Sequence, residues 1–443
     1  MGFSLVAFLE MAGLSEVFRN KTRNSVNTAI DYLKGLLTLP YNRNMSKIVE
    51  NTYCQASAHS FSDFFNRGAW LSDKLCKKLR KFILSRINLD SVVFTLDESG
   101  DGKSGIHSVG AARQYCGNSG KVDLCQVGVY LGIQIARFRL LIDYRLYLPQ
   151  SIIDKVENQK KFGIPQEKFI FKRKTDLALE MIDSLLAEGI IIKKIVMDGF
   201  YGADAEFLSN LSQRNIIFLA DIAHDTQVYI KKPTTYLPPR KGFRGRKPSI
   251  VRVLTESISV SSLVSDQSDW LKVTVRPTER GHKIVKLKSF RVWRRENNLP
   301  VSDPLWLIIS YDVHEKKVKY SFSNMPESSS QKNLAKFQSS RYWIERAFED
   351  AKSLYGLNEF RGRNWNCWHK HVVLVMVCAA FIGIKTEELV ENGVAIRITG
   401  LLTLFRCANP LKQITVEEGI KLVNRQNHDS RQSRASRINN SKG

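Results

Sequence analysis

The sequence lacks the cysteine pattern of a disulfide framework or of a thiolate zinc site. Its seven cysteines are an odd number, lie scattered over 443 residues and never occur as C-x-x-C. Disulfide-rich domains and zinc modules carry closely spaced cysteine pairs, so the pattern argues against both classes. It is typical of a protein that works in a reducing compartment.

Long hydrophobic runs and an export signal are also missing. The longest apolar run, residues 372–384, is too short to cross a bilayer, which takes about 20 apolar residues. The apolar start, residues 2–14, contains Glu10 and has no basic region before it. We therefore expect an intracellular protein with no membrane partner.

Acidic residues are few compared with basic ones. The chain has 67 Lys and Arg against 43 Asp and Glu, which gives a net charge of +24. Such an excess favours a polyanionic partner, because neutralising phosphates releases condensed counterions. The hydrophobic content of 43% supports a real core and excludes a disordered basic protein. The composition predicts a globular nucleic-acid-binding protein, with a merely soluble basic protein as the alternative.

The N-terminal part of the chain has a helical pattern. In residues 1–88 the apolar positions recur every three or four residues, which predicts a helical N-terminal DNA-binding domain. One predicted helix carries a cluster of basic side chains that either face DNA or form a solvated helix face. These are Lys74, Lys77, Lys78, Arg80 and Lys81.

The rest of the chain predicts an interrupted α/β domain. Strand patterns first follow one another and then alternate with helices, which indicates a mixed sheet flanked by helices over residues 89–223 and 305–385. Residues 224–304 are rich in basic residues, and their apolar and polar residues alternate as in strands. This pattern predicts a basic, β-rich insertion. Residues 386–443 predict a C-terminal region with a disordered basic tail.

Three acidic residues stand where strands or a helix aim carboxylates at one point. Asp97 follows the apolar residues 92–96, and Asp198 follows residues 195–197. An Asp at a strand end often marks a functional loop, although each Asp alone equally predicts a turn cap. Glu345 is the third, and it lies in a predicted helix.

A helical wheel selects Glu345 from its acidic neighbours. At about 100° per residue, Glu345 lies about 40° and Lys352 about 20° from Arg341, so the three share one stripe. This stripe borders the apolar face, whereas Glu349 and Asp350 are predicted to point toward solvent. A surface helix with ordinary charge pairs is the alternative.

These residue types point to metal-assisted phosphoryl transfer. Two Asp and one Glu offer only oxygen ligands, which suit Mg²⁺ better than zinc. Two such ions about 4 Å apart activate a water or a 3′-hydroxyl and stabilise the leaving oxygen, and Mn²⁺ can substitute for Mg²⁺. Arg341 and Lys352 would hold phosphates beside them.

The chain resembles the DDE transposases of bacterial insertion sequences. The motif Arg341-x3-Glu345-x6-Lys352 is similar to the Arg–Glu–Lys part of their signature. Residues 97–117 and 198–202 resemble the blocks around the first and second aspartates, within a similarity that spans residues 32–381. Gln338 stands where the signature has a tyrosine, so neither a tyrosine contact to the DNA end nor a hairpin intermediate is predicted.

The resemblance implies a fold and a reaction. It implies a ribonuclease-H-like core carrying Asp97, Asp198 and Glu345, split by an insertion. The implied enzyme nicks transposon inverted-repeat ends and joins 3′-hydroxyls to target DNA as a homodimer, in the bacterial cytoplasm at the nucleoid. An inactive DNA-binding relative and a structure-specific nuclease of the same fold are the alternatives.

Further residues are predicted to contact DNA phosphates. Lys103, His107 and Arg113 follow the first aspartate, and Tyr201 follows the second; His107 alternatively orders its loop. The insertion contains a short basic hook that suits a narrow minor groove, with a plain basic loop as the alternative. The hook comprises Arg240, Lys241, Arg244, Arg246 and Lys247.

Overall fold

The computed structural model describes most of the chain. The described residues are 4–21, 23–135, 138–239, 248–264, 270–278, 281–297, 299–300 and 303–413, with a few positions beyond 413. The five residues of the predicted basic hook and nearly all of the predicted C-terminal tail lie outside them.

Five helices account for much of the N-terminal region. The second helix forms because its apolar residues recur on one side, where Ile30, Leu33 and Leu37 are buried. Asn44 and Ser57 begin the third and fourth helices by accepting hydrogen bonds from backbone amides. The helices are α1 (Leu5–Met11), α2 (Val26–Thr38), α3 (Met45–Asn51), α4 (Ala58–Asn66) and α5 (Ser72–Leu84).

One predicted basic surface residue of α5 is buried instead. Arg80 is 2% exposed and contacts Asp143 at 3.1 Å and Glu188 at 2.5 Å. The expectation that it lies on a solvated or DNA-binding face is therefore wrong. Burial of a guanidinium requires paired carboxylates, and both partners are distant in sequence.

The next region contributes six strands and five helices. The strands are β1 (Val93–Gly102), β2 (Ala112–Cys116), β3 (Lys121–Ile135), β4 (Phe138–Leu146), β5 (Lys194–Met197) and β6 (Ile217–Asp221). The helices are α6 (Gln150–Ile153), α7 (Glu157–Phe162), α8 (Lys174–Ala187), α9 (Gly199–Ala203) and α10 (Ala205–Gln213).

Five of these strands form a mixed sheet in the order β4, β3, β1, β5, β6, and β2 pairs with the first residues of β3. The β4–β3 and β3–β1 pairs are antiparallel, whereas the β1–β5 and β5–β6 pairs are parallel. An antiparallel meander followed by parallel strands with helical crossovers is the expected ribonuclease-H-like arrangement. The predicted fold class is confirmed.

The described part of the predicted insertion contains strands that continue this sheet and two that do not. Those that continue it are β7 (Gln227–Tyr229), β10 (Ile258–Ser259), β11 (Leu271–Thr278), β12 (Gly281–Glu296) and β13 (Leu299–Pro300). The other two, β8 (Thr235–Tyr236) and β9 (Arg252–Val253), form a separate two-stranded sheet. The chain returns through β14 (Leu305–Asp312) and β15 (Lys317–Ser323). Since β12 pairs with β14, β14 with β15 and β15 with β6, the insertion is joined to the core by backbone hydrogen bonds.

The last described part is helical. Its helices are α11 (Gln331–Ser340), α12 (Tyr342–Ser353), α13 (Trp365–Glu391) and α14 (Ile398–Ala408). Helix α13 is buried over most of its length, in keeping with its largely apolar sequence. Over the described residues, no helix is both long and apolar enough to span a membrane.

One hydrophobic cluster joins Phe8, Phe94 and Phe381, so the N-terminal helices share a core with the sheet and α13.

Helices α8 and α12 cover opposite faces of the sheet. Neighbouring residues of a strand point to opposite faces, and Glu98 of β1 pairs with Lys174 of α8 whereas Asp97 faces the start of α12. Close packing of α12 depends on Gly132, where a Cβ would lie 3.0 Å from Ile344. Helix α12 is thereby held directly over β1 and β3.

Candidate active site

Three neighbouring parallel strands bring aspartates side by side at the point where their parallel pairing ends. Strands β1, β5 and β6 pair in register, and the positions directly after the last paired residues are Asp97, Asp198 and Asp221. Residues in register on parallel strands point to the same face. Three carboxylates therefore lie in a row at the carboxyl end of the parallel part of the sheet.

Strand β1 does not stop at Asp97 as the sequence predicted. It runs on to Gly102, because β3 pairs with its other edge along the whole length. Only the parallel partner β5 ends at this level. Asp97 thus lies inside a strand at the point where the neighbouring strand ends, which leaves room beside its carboxylate.

Asp198 is fixed by a short helix that starts at it. Its Oδ1 accepts hydrogen bonds from the backbone amides of Phe200 (3.1 Å) and Tyr201 (3.4 Å) at the start of α9. At the other end of α9, Arg294 of β12 donates to the carbonyl oxygens of Gly202 (3.0 Å) and Ala203 (2.5 Å). The insertion therefore helps to hold the helix that orients Asp198.

A single guanidinium lies among the carboxylates. Arg341, between α11 and α12, contacts Asp221 through Nε at 2.7 Å and Glu345 through a terminal nitrogen at 2.8 Å. Its other terminal nitrogen lies 3.9 Å from Asp97. Burial lowers the pKa of Arg341, but the surrounding carboxylates, Asp221 first, outweigh it and raise the pKa above its ordinary value.

The surroundings of Asp97 and Asp198 raise the pKa of both carboxyl groups. Burial, followed by the charge of Asp198, raises the pKa of Asp97 to about 7 against the opposing charge of Arg341. Burial also raises the pKa of Asp198, although Arg341 and two backbone amides lower it. One guanidinium thus leaves this group of carboxylates short of positive charge, which is the electrostatic condition of a cation-binding site.

The donor chemistry fits Mg²⁺, with one rearrangement. Among the described residues, no three His, Cys, Asp or Glu side chains are arranged to hold a metal ion. Asp97 and Asp198 are adjacent carboxylates with the oxygen donors that Mg²⁺ prefers. Glu345 is half exposed and is turned to Arg341. It would have to leave Arg341 to join the two aspartates.

Two predicted phosphate-binding lysines come together beside this centre. Lys103 pairs with Asp101, and Lys352 donates to Asn118 at 2.9 Å. Both lysines line one small pocket that also contains Asp101. Burial lowers the pKa of Lys352, opposed by Asp101 among other charges.

The other residues predicted to contact DNA do not share one environment. His107 and Arg113 are exposed, and Arg113 lies on β2. Tyr201 is fully buried, and its hydroxyl has no hydrogen-bond partner among the described residues. Its position in the interior does not favour a direct contact with DNA. Arg240, Lys241, Arg244, Arg246 and Lys247 lie outside the described residues.

The structure adds Asp221, which sequence reasoning missed. The rule that selected Asp97 and Asp198, an Asp after an apolar strand, applies equally to Asp221 after residues 217–220. The helical wheel also misplaced Asp350, which was expected to face solvent. Its side chain is 16% exposed and pairs with Arg139 of β4 at 2.6 Å, because β4 lies beside α12.

Comparisons with known proteins agree with this geometry. A family profile described as DDE superfamily endonuclease matches residues 13–282. The chain belongs to this family. The match includes Asp97, Asp198 and Asp221 and ends before Glu345. The predicted relationship to DDE transposases of insertion sequences is confirmed.

Two individual proteins are similar to the chain. A probable transposase for insertion sequence element IS701 from Microchaete diplosiphon is 22% identical over 306 residues, which is 67% of each chain. The piggyBac transposase, in a cryo-EM structure of its synaptic complex with hairpin DNA, overlaps 91% of this chain and 78% of its own. That overlap has a TM-score of 0.37 and 12% identity.

Proposed function

We propose that this member of the DDE endonuclease family is an active, Mg²⁺-dependent DNA transposase. It cleaves transposon ends and transfers their 3′-hydroxyl strands into target DNA. The observation that carries the proposal is the pair of partly buried carboxylates, Asp97 and Asp198, that the strand register sets side by side with Glu345 nearby. This supports Asp97, Asp198 and Glu345 as the carboxylates that hold two metal ions.

Each side chain has a distinct role in the proposed reaction. Bound Mg²⁺ would supply Lewis-acid activation of the attacking hydroxyl and neutralise the leaving oxygen. The amides of α9 hold Asp198 in place, and its neighbour Asp97 faces the same side of the sheet. Lys103 and Lys352 line one pocket beside the carboxylates, and we propose that they hold DNA phosphates near the reacting group. Arg341 pairs with Glu345, and Glu345 would leave this pair to bind the metal.

The proposed partners are transposon ends and target DNA. The net charge of +24 and the exposed His107 and Arg113 support contact with phosphates. The basic hook is proposed to bind a minor groove, and two copies of the chain are proposed to hold paired ends. The N-terminal helices are proposed to contribute to DNA-end recognition through the basic side chains of α5 other than Arg80.

Substitution of Asp198 tests the proposal. Asp198→Asn keeps the cap of α9, because asparagine accepts the same amide hydrogen bonds, but it removes the ligand charge. We expect Mg²⁺-dependent cleavage of transposon-end DNA to fall at least about a hundredfold while DNA binding is unchanged. Asp183→Asn is the matched control, since Asp183 is a surface partner of Arg214.

The other outcomes separate the alternatives. Normal cleavage by Asp198→Asn would show that the assignment is wrong. Cleavage by the unmodified protein without strand joining would indicate a nuclease of the same fold. Salt-sensitive DNA binding with no metal-dependent cut would indicate an inactive DNA-binding relative.

A further inference from the structure

A fourth carboxylate, Asp221, contacts the centre without a role in the proposed reaction. Asp221 ends β6, next to Asp198 in the row of aspartates. We propose that Asp221 is a positioning residue, which holds the Arg341 guanidinium so that Glu345 can leave Arg341 and bind a divalent cation. This inference rests on the proposed function, because it assigns Glu345 to the metal.

Arg341 meets its two partners through different parts of the guanidinium. Nε donates to Asp221 at 2.7 Å, and a terminal nitrogen donates to Glu345 at 2.8 Å. One bond can therefore break while the other stays. The Asp221 side chain is 17% exposed and that of Glu345 is 50% exposed. Since water competes more for the exposed pair, the bond to Glu345 is the weaker one.

A buried hydrogen-bond chain orients Asp221. The side-chain amide of Gln338 donates from Nε2 to the carbonyl oxygen of Ile308 (3.3 Å) and to Oγ of Ser321 (2.8 Å). A carbonyl oxygen only accepts, which fixes Nε2 as the atom that faces both partners. The Ser321 hydroxyl then directs its own hydrogen to Oδ1 of Asp221, at 2.6 Å.

This hydrogen-bond chain gives a physical role to Gln338, the residue that departs from the family signature. Gln338 occupies the position where a tyrosine was expected, and it is 7% exposed. Its side-chain amide donates inward, to Ile308 and Ser321. Through Ser321 it leaves the second oxygen of Asp221 free to accept from Arg341.

The backbone of Asp221 is fixed as well. Ser321 and Asp221 are opposite one another in the β15–β6 ladder. On the other side, α9 approaches so closely that a Cβ on Gly202 would lie 1.9 Å from the carbonyl oxygen of Asp221. Asp221 is therefore held between β15 and α9, which suits a residue that must present a carboxylate at one fixed place.

Metal binding in a double-mutant cycle tests the inference. We would measure Mn²⁺ affinity of the full-length protein without DNA by electron paramagnetic resonance, for the unmodified chain, Asp221→Asn, Arg341→Gln and the double variant. Asp221→Asn should weaken Mn²⁺ binding about tenfold, because Arg341 then loses its charged anchor and competes for Glu345. In the Arg341→Gln background the same change should alter affinity by less than about threefold.

Each other result has a distinct meaning. Equal losses in both backgrounds would overturn the inference, because Asp221 would then act on the metal directly. If Asp221→Asn does not weaken Mn²⁺ binding when Arg341 is unmodified, the inference is also overturned, and Asp221 is a structural residue. A folded unmodified protein that binds no Mn²⁺ would refute the proposed function and with it this inference.

Ser321→Ala is the second variant, in case Asp221→Asn does not fold. It keeps the Asp221 charge and removes only the hydrogen bond to Oδ1. A loss of about threefold in Mn²⁺ affinity that disappears in the Arg341→Gln background supports the chain. Unchanged affinity in a folded Ser321→Ala protein, judged by thermal denaturation, would contradict it.

Discussion

At the level of single residues, one cation is shared by several carboxylates. Arg341 contacts Asp221 and Glu345 and lies 3.9 Å from Asp97. Asp97 and Asp198 were predictable, because each follows an apolar run that is visible in the sequence. The contact of Arg341 with Asp221 was not, since it depends on how α12 lies across the sheet.

Gly202 gives a prediction at the residue scale. Gly202→Ala would place a Cβ 1.9 Å from the carbonyl oxygen of Asp221, and this backbone atom cannot move aside cheaply. We expect a loss of about 1–3 kcal/mol in the free energy of unfolding from the forced shift. Chemical denaturation measures it.

Gly117→Ala is the matched control for this substitution. A Cβ at Gly117 meets nothing within 4 Å, so the change should be nearly neutral. Equal stability of the two alanine variants would contradict the close approach of α9 to β6.

At the level of elements, the buried helix α13 was predictable and its polar contacts were not. Its apolar sequence predicts burial on all sides, as the structure shows. Yet it also buries His371, whose Nδ1 accepts from the Tyr32 hydroxyl (3.0 Å) and whose Nε2 donates to the carbonyl of Gly356 (3.1 Å). Those partners come from distant parts of the chain. Periodicity gives a buried face but not the groups packed against it.

His371 gives a prediction of pH dependence. Burial lowers the pKa of His371 from 6.5 to about 3. Below pH 6.5 the unfolded chain therefore binds a proton at this histidine that the folded chain does not bind, and stability falls as the pH falls. The contribution is about 1.4 kcal/mol per pH unit until the folded pKa is reached.

His371→Gln removes this titration and keeps a polar side chain. The difference in unfolding free energy between the unmodified protein and the variant should change by about 1.4 kcal/mol per unit from about pH 6 to about pH 4. Urea denaturation at several pH values checks it. A difference that stays constant over this range would contradict a buried neutral His371.

At the level of the whole molecule, the sheet joins regions that the sequence separated. The alternation of strands and helices predicts a mixed α/β sheet, because each element has its own local pattern, and the family resemblance implies its ribonuclease-H-like form. The continuation of the sheet from β6 through β15, β14 and β12 depends on pairing between distant strands and has no local signal. Through Arg294, the same insertion reaches α9 and hence Asp198. The proposed active site is thus supported by the insertion as well as by the core sheet.

The position of a bound metal tests the proposed active site most directly. We would determine a crystal structure of the protein with transposon-end DNA and Mn²⁺ and locate the metal by anomalous scattering. We expect Mn²⁺ bound by Asp97 and Asp198, with Glu345 turned from Arg341 to the metal and Arg341 still paired with Asp221. Anomalous density away from these aspartates, or Glu345 still paired with Arg341 beside the bound metal, would contradict it.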